Sequence, residues 1–503
     1  MPKNSPYHLT EHIADPLSLG FLQSVSWFPE SNAIYVDGKQ YTYQQLWEIV
    51  DYIYHKILTN KIYPAIGIYC TGDVYTYASI IAVNLYGAAF VPLNTKFPET
   101  RNRKIIEQSN LSLILCSAKS DDLKSIANGI EVIETKNGSS SIPAKIFEKI
   151  AYKKTEQLIA YILFTSGTTG VPKGVPVSHS NVNHFFNFFL SNYDFNERDR
   201  FLQVYELTFD VSVFSFFMPL MVGACCYVLP DEGVKVFKIA ETLKKFDITI
   251  VSMVPTILRY MAPYFNELSF PALRYSFFSG DALFHELAVK WNGSLPNGKI
   301  HNFYGPTETT IVCTCYVFDE ERSAEESVNG IVPLGKMFEG MNFILVDENN
   351  QLVNKGELCI AGTQVISSYL NNSDEARFFI HNTIRYYKTG DIVSVNKHGN
   401  LVFYGRTDSQ VKINGYRIEL MEIENVISKI TDTNVTVLCK PAENGLNKLI
   451  AYIEAKTINE HVLKEKLNNI LPAYMIPQQY VAIEKFVLNT NGKVDKKLLE
   501  NIH

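Results

Sequence analysis

Residues 161–177 read YILFTSGTTGVPKGVPV. They open within an apolar run, 158–164, that has the length and composition of a strand. The run breaks into Thr165, Ser166, Gly167, Thr168, Thr169 and Gly170, which is four hydroxyls and two glycines in six residues. Such a run cannot pack a core. It can wrap an anion, because glycine lets backbone N–H groups approach and each hydroxyl donates a hydrogen bond. Lys173 adds a cation and Pro172 stiffens the exit. A flexible linker would need neither the preceding strand nor the lysine. The loop reads as a cradle for the phosphates of a nucleotide. It is not a Walker A loop, which needs Gly-Lys followed by Ser or Thr, whereas this lysine lies between Pro172 and Gly174.

Working outward, the chain alternates strands and helices. Leu46, Ile49, Val50, Ile53 and Ile57 recur at helical spacing behind Thr42, a candidate N-cap. Strands at 66–70, 88–93 and 111–116 enclose helices at 74–86 and 101–109. Residues 118–156 read as a polar surface excursion. Beyond the loop, helices at 181–190, 234–245 and 256–265 alternate with strands at 248–254 and 275–278. This alternation predicts an α/β architecture with much parallel sheet. From about 340 the sequence turns β-rich, with strands at 342–346, 356–361, 386–389 and 401–404. Gly390-Asp391 is expected to end one of these strands and to leave an exposed carboxylate suited to ribose hydroxyls. After Arg406 the register changes into a compact unit: helix 421–430, strands 434–439 and 448–454, helix 460–471 and strand 480–484. The predicted organisation is a large N-terminal domain, 1–406, of parallel-rich sheets with helices plus a β-rich subdomain. A small mobile α+β C-terminal domain, 407–503, follows.

The 503 residues are 46% hydrophobic with a net charge of −6, so the chain builds a large core and shows no basic stripe for nucleic acid. The eight cysteines are scattered, and Cys313-Thr-Cys315 has no His/Cys partner motif, so reduced buried thiols are expected rather than a metal site. Residues 1–16 contain no apolar signal segment, which predicts a cytoplasmic location. Residues 211–229 carry no charge and are long enough to span a bilayer, but Pro219 and Gly223 divide them into a buried helix and a strand.

Two further clusters carry chemistry. Asp210 sits among apolar residues, either as an N-cap or as a buried carboxylate awaiting a cation. Residues 301–310 read HNFYGPTETT and combine aromatics that stack on a base with hydroxyls and a carboxylate, Glu308, suited to Mg²⁺.

Taken together, TSGTTGVPKGV (165–175), YGPTETT (304–310), GELCIAG (356–362), YKTGD (387–391), GRTDSQVKINGYRIEL (405–420), LPAYMIP (471–477) and NGKVD (491–495) resemble the adenylate-forming superfamily. Within it, the chain resembles amino-acid-activating enzymes, including D-alanine–carrier protein ligases and stand-alone adenylation enzymes. The resemblance implies roles by position. Thr165, Ser166, Gly167, Thr168, Thr169 and Lys173 hold the β- and γ-phosphates of ATP. Gly280, Asp281, Ala282, Asn302, Phe303, Tyr304 and Gly305 cradle adenine. Thr307 contacts the α-phosphate and Glu308 binds Mg²⁺. Asp391 and Arg406 bind ribose, with Phe403 nearby. Asp408 is the hinge, and Lys493 swings in during adenylation. Asp210 meets the substrate ammonium, and Val211, Phe214, Ser252, Phe277, Ser279, Phe303, Ile311 and Val312 line the pocket. Asn414, Met421 and Val487-Leu488 depart from the usual arginine, glycine and Pro-Leu, without removing a catalytic group.

The implied reaction has two steps. A carboxylate attacks the α-phosphate of ATP, giving an acyl-adenylate and pyrophosphate, and the acyl group then passes to a thiol. No carrier motif follows Lys493, so the thiol is expected on a separate phosphopantetheinylated carrier protein. Three phenylalanines in the pocket set point to a small amino acid. An acyl- or aryl-CoA ligase is the alternative.

Overall fold

The structure is a computed structural model that describes residues 16–58, 61–136, 158–167, 171–372, 374–408, 410–442, 446–487, 494 and 496–500. Two parallel-rich sheets form its body, as the alternation predicts. One has six strands, centred on Ala65–Cys70 and Ala89–Asn94, and ends in the antiparallel pair Ile159–Thr165 and Lys173–Ser178. The loop expected to hold phosphates thus joins the two strands of an edge hairpin. The other has nine strands, with Arg200–Gln203, Ile250–Met253, Tyr275–Phe278 and Lys299–Tyr304 parallel at its centre. Parallel strands buried on both faces need apolar runs rather than alternation, and these strands are almost wholly buried.

One core cluster joins both sheets through the helices Tyr43–Ile57, Val74–Tyr86, His179–Asn192 and Val211–Met221. The first of these carries the expected cap. Thr42 accepts from the Gln45 N–H while Gln45 reaches back to the Thr42 N–H, closing a capping box. The uncharged stretch 211–229 is the helix Val211–Met221 followed by the strand Cys225–Val228, and the helix runs through Pro219 rather than stopping there. Proline leaves the Ser215 carbonyl without its helical donor, and the Cys226 thiol points to that carbonyl at 3.7 Å. Among the described residues no helix is long and apolar enough to cross a membrane.

Two expectations are corrected. The supposed excursion after 118 contains the helix Asp121–Ile126, capped by the Ser120 hydroxyl, and the edge strand Glu131–Glu134; residues 137–157 lie outside the described set. Gly390-Asp391 does not end a strand. The strand Ile384–Val395 runs through both, because Gly390 at φ +79° and a bulge at 392/393 absorb the change of direction without breaking the ladder. Asp391 is consequently buried, not exposed.

The antiparallel sheet containing this strand is joined to the nine-stranded sheet at Gly335, whose carbonyl accepts from the Leu401 N–H. Residues beyond 409 build the hairpin Gln410–Ile413/Tyr416–Glu419, a three-stranded sheet and a core of their own. Asn414 and Gly415 both take positive φ, as the two-residue hairpin turn requires, so the Asn at 414 suits its place.

The junction at Gly335 gives a prediction. Its φ is +89° and an added Cβ would lie 2.0 Å from the Cys315 carbonyl oxygen. Gly335→Ala is expected to destabilise the protein by roughly 2–4 kcal/mol, read as a lowered denaturation midpoint. An unchanged midpoint would show that the junction yields.

Candidate active site

The phosphate loop is anchored by the pair Thr165–Lys173 across its hairpin. A Cβ on Gly167 would meet the Val171 carbonyl oxygen at 2.1 Å, so only glycine fits. Lys173 is buried and donates to Asp374 at 2.8 Å. Ser166 donates to the Arg417 carbonyl at 2.8 Å and accepts from the Glu419 N–H at 3.1 Å. The Gly167 N–H donates to Glu422 at 3.1 Å. Thr168, Thr169 and Lys493 lie outside the described residues.

One cleft brings together the predicted adenosine-binding residues Gly280, Asp281, Ala282, Asn302, Phe303, Tyr304, Gly305, Asp391, Phe403 and Arg406. Their polar groups are pre-oriented. Asp391 accepts from the Tyr304 hydroxyl at 2.6 Å and from Arg406 at 2.5 Å. Burial pushes the Tyr304 hydroxyl well above its usual range, and the neighbouring Asp391 charge adds to the effect. Asp281 accepts from the Thr256 hydroxyl at 2.6 Å and the Ala282 N–H at 2.8 Å. Arg406 also grips Asp408 with two hydrogen bonds, of 2.8 and 2.9 Å. Partial burial works to raise the Asp408 carboxyl, yet this grip and the charges of Arg406 and Arg377 hold it below the usual range.

An adjoining cleft runs from Thr165 and Ser166 past Thr307 to Asp210, Val211, Ser279 and Ile311. Asp210 stands where an N-cap would, but its side chain makes no capping hydrogen bond into the helix beyond the N–H of the next residue, Val211. The capping reading is thereby removed. Burial raises its carboxyl from 3.8 to about 6, against the opposing pull of the Thr307 hydroxyl. Phe214, Ser252, Phe277, Phe303 and Val312 do not line this cleft; all five are buried, and Phe303 lines the neighbouring cleft instead. Phe214, Phe277 and Phe303 form a wall, with rings 5.9 and 5.2 Å apart. The pattern of apolar residues signalled their burial but not which of them reach open space.

Glu308 is almost fully buried and both its oxygens are engaged, one by the Tyr369 hydroxyl at 2.6 Å and one by Arg417 at 2.8 Å. Burial works to raise its carboxyl, but the Arg417 charge and the Tyr369 hydrogen bond hold it below its usual range. A guanidinium at that distance takes the oxygen a divalent cation would use and repels the cation. In this pose the Mg²⁺ expected at Glu308 does not fit. Among the described residues no group of three or more His, Cys, Asp or Glu is placed to hold a metal ion.

Sequence reasoning missed Arg417, Lys412, Glu422, Tyr369 and Arg101. Three of them fall in or beside the motif 405–420, so the signal was present, but nothing local says that this hairpin faces the cleft. Lys412 lines both clefts, its ammonium 5.9 Å from the Tyr304 ring centre. Burial draws its pKa below the lysine range. Tyr416 stacks on Tyr474 at 3.9 Å and meets Phe209 edge-on at 4.9 Å, which seats the hairpin on the rim.

The family model described as AMP-binding enzyme matches residues 21–370. This chain belongs to the AMP-binding enzymes. It resembles zwittermicin A synthase ZmaJ of Bacillus cereus, 31% identical over 95% of this chain and 93% of that protein. Tyrocidine synthase 1 of Brevibacillus parabrevis is 30% identical over 98% of this chain but only 46% of the synthase. The chain thus spans less than half of that relative. The solved structure of the Vibrio cholerae adenylation domain AlmE in complex with glycyl-adenosine-5'-phosphate is similar, with a TM-score of 0.84 at 26% identity. That match covers 97% of this chain and 98% of the other. This AMP-binding enzyme is therefore of the AMP-forming, adenylate-forming class.

The environment of Asp210 yields a prediction. A carboxyl raised from 3.8 to about 6 makes the ionised form unfavourable in the fold. That cost is absent below about pH 4 and complete above pH 6. Asp210→Asn is expected to stabilise the free enzyme at pH 7.5 by about 1–2 kcal/mol, discounted for partial solvent contact, and not at pH 4. Thermal unfolding at the two pH values checks this; a gain at both would place its origin elsewhere.

Proposed function

We propose that this AMP-binding enzyme activates a small amino acid as its aminoacyl-adenylate and transfers it to the phosphopantetheine thiol of a separate carrier protein. The observation that carries this reading is Asp210: a half-buried carboxylate with no capping hydrogen bond that opens onto the cleft beside the loop 165–173, at the head of the helix that carries the buried Phe214. The Thr307 hydroxyl and the Val211 N–H offset that charge only in part, since burial still raises the carboxyl; a substrate ammonium would complete the compensation. The phenylalanine wall leaves little depth for a side chain. The glycyl-adenosine-5'-phosphate held by AlmE is in keeping with a small substrate. An acyl- or aryl-CoA ligase would leave Asp210 without a purpose.

In this reading Asp391, with Arg406 and Tyr304 around it, orients the ribose. Ser166, the Gly167 N–H and Lys173 hold phosphate oxygens. Thr307, between Asp210 and the loop, steers the α-phosphate toward the substrate carboxylate. That carboxylate attacks the α-phosphorus and pyrophosphate departs. Lys493 meets the charge that develops in this first step. The division at Asp408, with 1–406 and 407–503 as two domains, is part of the same proposal. It is supported by the separate core of the residues beyond 409 and by the grip of Arg406 and Arg377 on Asp408.

ATP–pyrophosphate exchange across D- and L-amino acids, fatty acids and aryl acids tests the proposal. Alanine of either hand, glycine, serine or proline should support exchange, and phenylalanine or tryptophan should not. Asp210→Ala should lose at least about a hundredfold in catalytic efficiency, since an unpaired charge costs roughly 3–5 kcal/mol. A preference for bulky aromatics, or undiminished efficiency of the variant, would overturn it.

The two half-reactions should separate. Lys493→Ala is expected to abolish exchange and to spare transfer from supplied adenylate. Asp408→Pro, which fixes φ at the proposed pivot, is expected to do the reverse. Equal loss of both steps in a folded Asp408→Pro variant would rule out the pivot.

A further inference from the structure

The loop that carries Thr307 and Glu308 turns under backbone strain. Thr310 and Ile311 stand one after the other at φ +58° and +69°, and both are β-branched. Residues of that shape rarely enter the left-handed region, and they stay there only where the surroundings hold them. Both are buried, and Ile311 is also one of the residues that line the cleft with Asp210 and Thr307.

The group that holds them is Gln364, which is 1% exposed. Its side-chain amide nitrogen lies 2.9 Å from the Val312 carbonyl oxygen, 3.1 Å from that of Thr309 and 3.3 Å from that of Thr310. The Thr310 hydroxyl donates back to the Gln364 carbonyl at 2.6 Å, and the Ile366 N–H donates to the Glu308 carbonyl at 3.0 Å. Residues 364–366 therefore fasten the loop on both sides of the strained pair. Behind them, the Asn181 side chain donates to the Thr363 carbonyl at 2.8 Å and to the Val365 carbonyl at 3.3 Å. Its oxygen accepts from the N–H and the hydroxyl of Ser178, the last residue of the strand Lys173–Ser178. One hydrogen-bonded relay thus runs from the strand that leaves the loop 165–173, through Asn181 and Gln364, to the turn at Ile311. Neither Asn181 nor Gln364 lines the cleft itself.

We propose that Gln364 is a positioning residue that sets the width of the cleft at Asp210, with Asn181 as its support. Its amide offsets the strain at Thr310 and Ile311. Without it, three buried carbonyls lose a donor and the pair relaxes to negative φ, which carries the Ile311 side chain out of place. The cleft then grips a short acid less well and excludes a longer one less well. The inference rests on the reading of this cleft as the seat of the acid that is activated.

ATP–pyrophosphate exchange with the full-length protein tests it. Glycine, alanine, α-aminobutyrate and norvaline are compared by kcat/KM in wild type, in Gln364→Met and in Asn181→Asp. Methionine keeps the length of glutamine and removes its N–H groups. Aspartate keeps the acceptor for Ser178 and removes the donor. In Gln364→Met the KM of the best wild-type substrate should rise about tenfold, and the preference for it over the next longer acid should shrink roughly fivefold or more. The KM of ATP should stay within about twofold, because Asp391 and Arg406 pair in another sheet. Asn181→Asp should shift the amino-acid KM and the preference in the same direction, by less. A role in stability alone lowers the fraction of active protein and moves neither quantity. An unchanged preference in folded Gln364→Met overturns the inference, and Asn181→Asp decides in the same way if the first variant fails to fold. Exchange supported by fatty or aryl acids alone would overturn the amino-acid reading, and the same comparison between acids one carbon apart would then judge the inference.

Discussion

A carboxylate with almost no solvent contact must have a cation, and Glu308 is such a carboxylate. The rest of the site is arranged around that demand. The cation in this pose is Arg417, which comes from the hairpin beyond residue 409 and brings the whole 410–422 segment against the phosphate loop. Tyr369 supplies the second hydrogen bond, and Tyr387 lies within 3.3 Å of it. A buried acid at the meeting point of a β-rich sheet, a phosphate loop and a separate C-terminal unit makes the position of one depend on the charge state of the others.

The nucleotide side follows the same logic with a fixed partner. Asp391 is buried too, but its cation, Arg406, lies across an antiparallel pair in the same sheet. Arg406 also holds Asp408, so the buried carboxylate of Asp391 and the start of the next segment share one guanidinium. The contrast separates a pairing made within one sheet from one made between separately folded units.

Much was legible in the sequence. The glycine and hydroxyl run after an apolar strand, the alternation of helices and strands, and the Thr42 cap are local properties, set by backbone freedom and periodicity within a few residues. They gave the α/β class, the strand that leads into the glycine- and hydroxyl-rich loop, and most element positions. The failures also have physical causes. Gly390 reads as a strand end because glycine often is one, but a bulge let the ladder continue and buried Asp391. The helix Pro16–Trp27 shows no clear polar face, so no periodicity announced it; it is buried against the helix Val211–Met221, where Gly20 allows the close approach.

For Asp210 the sequence alone established only that a carboxylate stands among apolar residues; its freedom from capping and its opening onto the cleft are matters of side-chain direction. Likewise, it could say that Phe214, Phe277 and Phe303 are interior, but not that they form a wall. Residue type, spacing and turn chemistry act over a few positions and are written in the chain. Which distant charges meet, Arg101 with Glu422 or Arg417 with Glu308, depends on how separately folded units pack, and burial then makes those pairings obligatory.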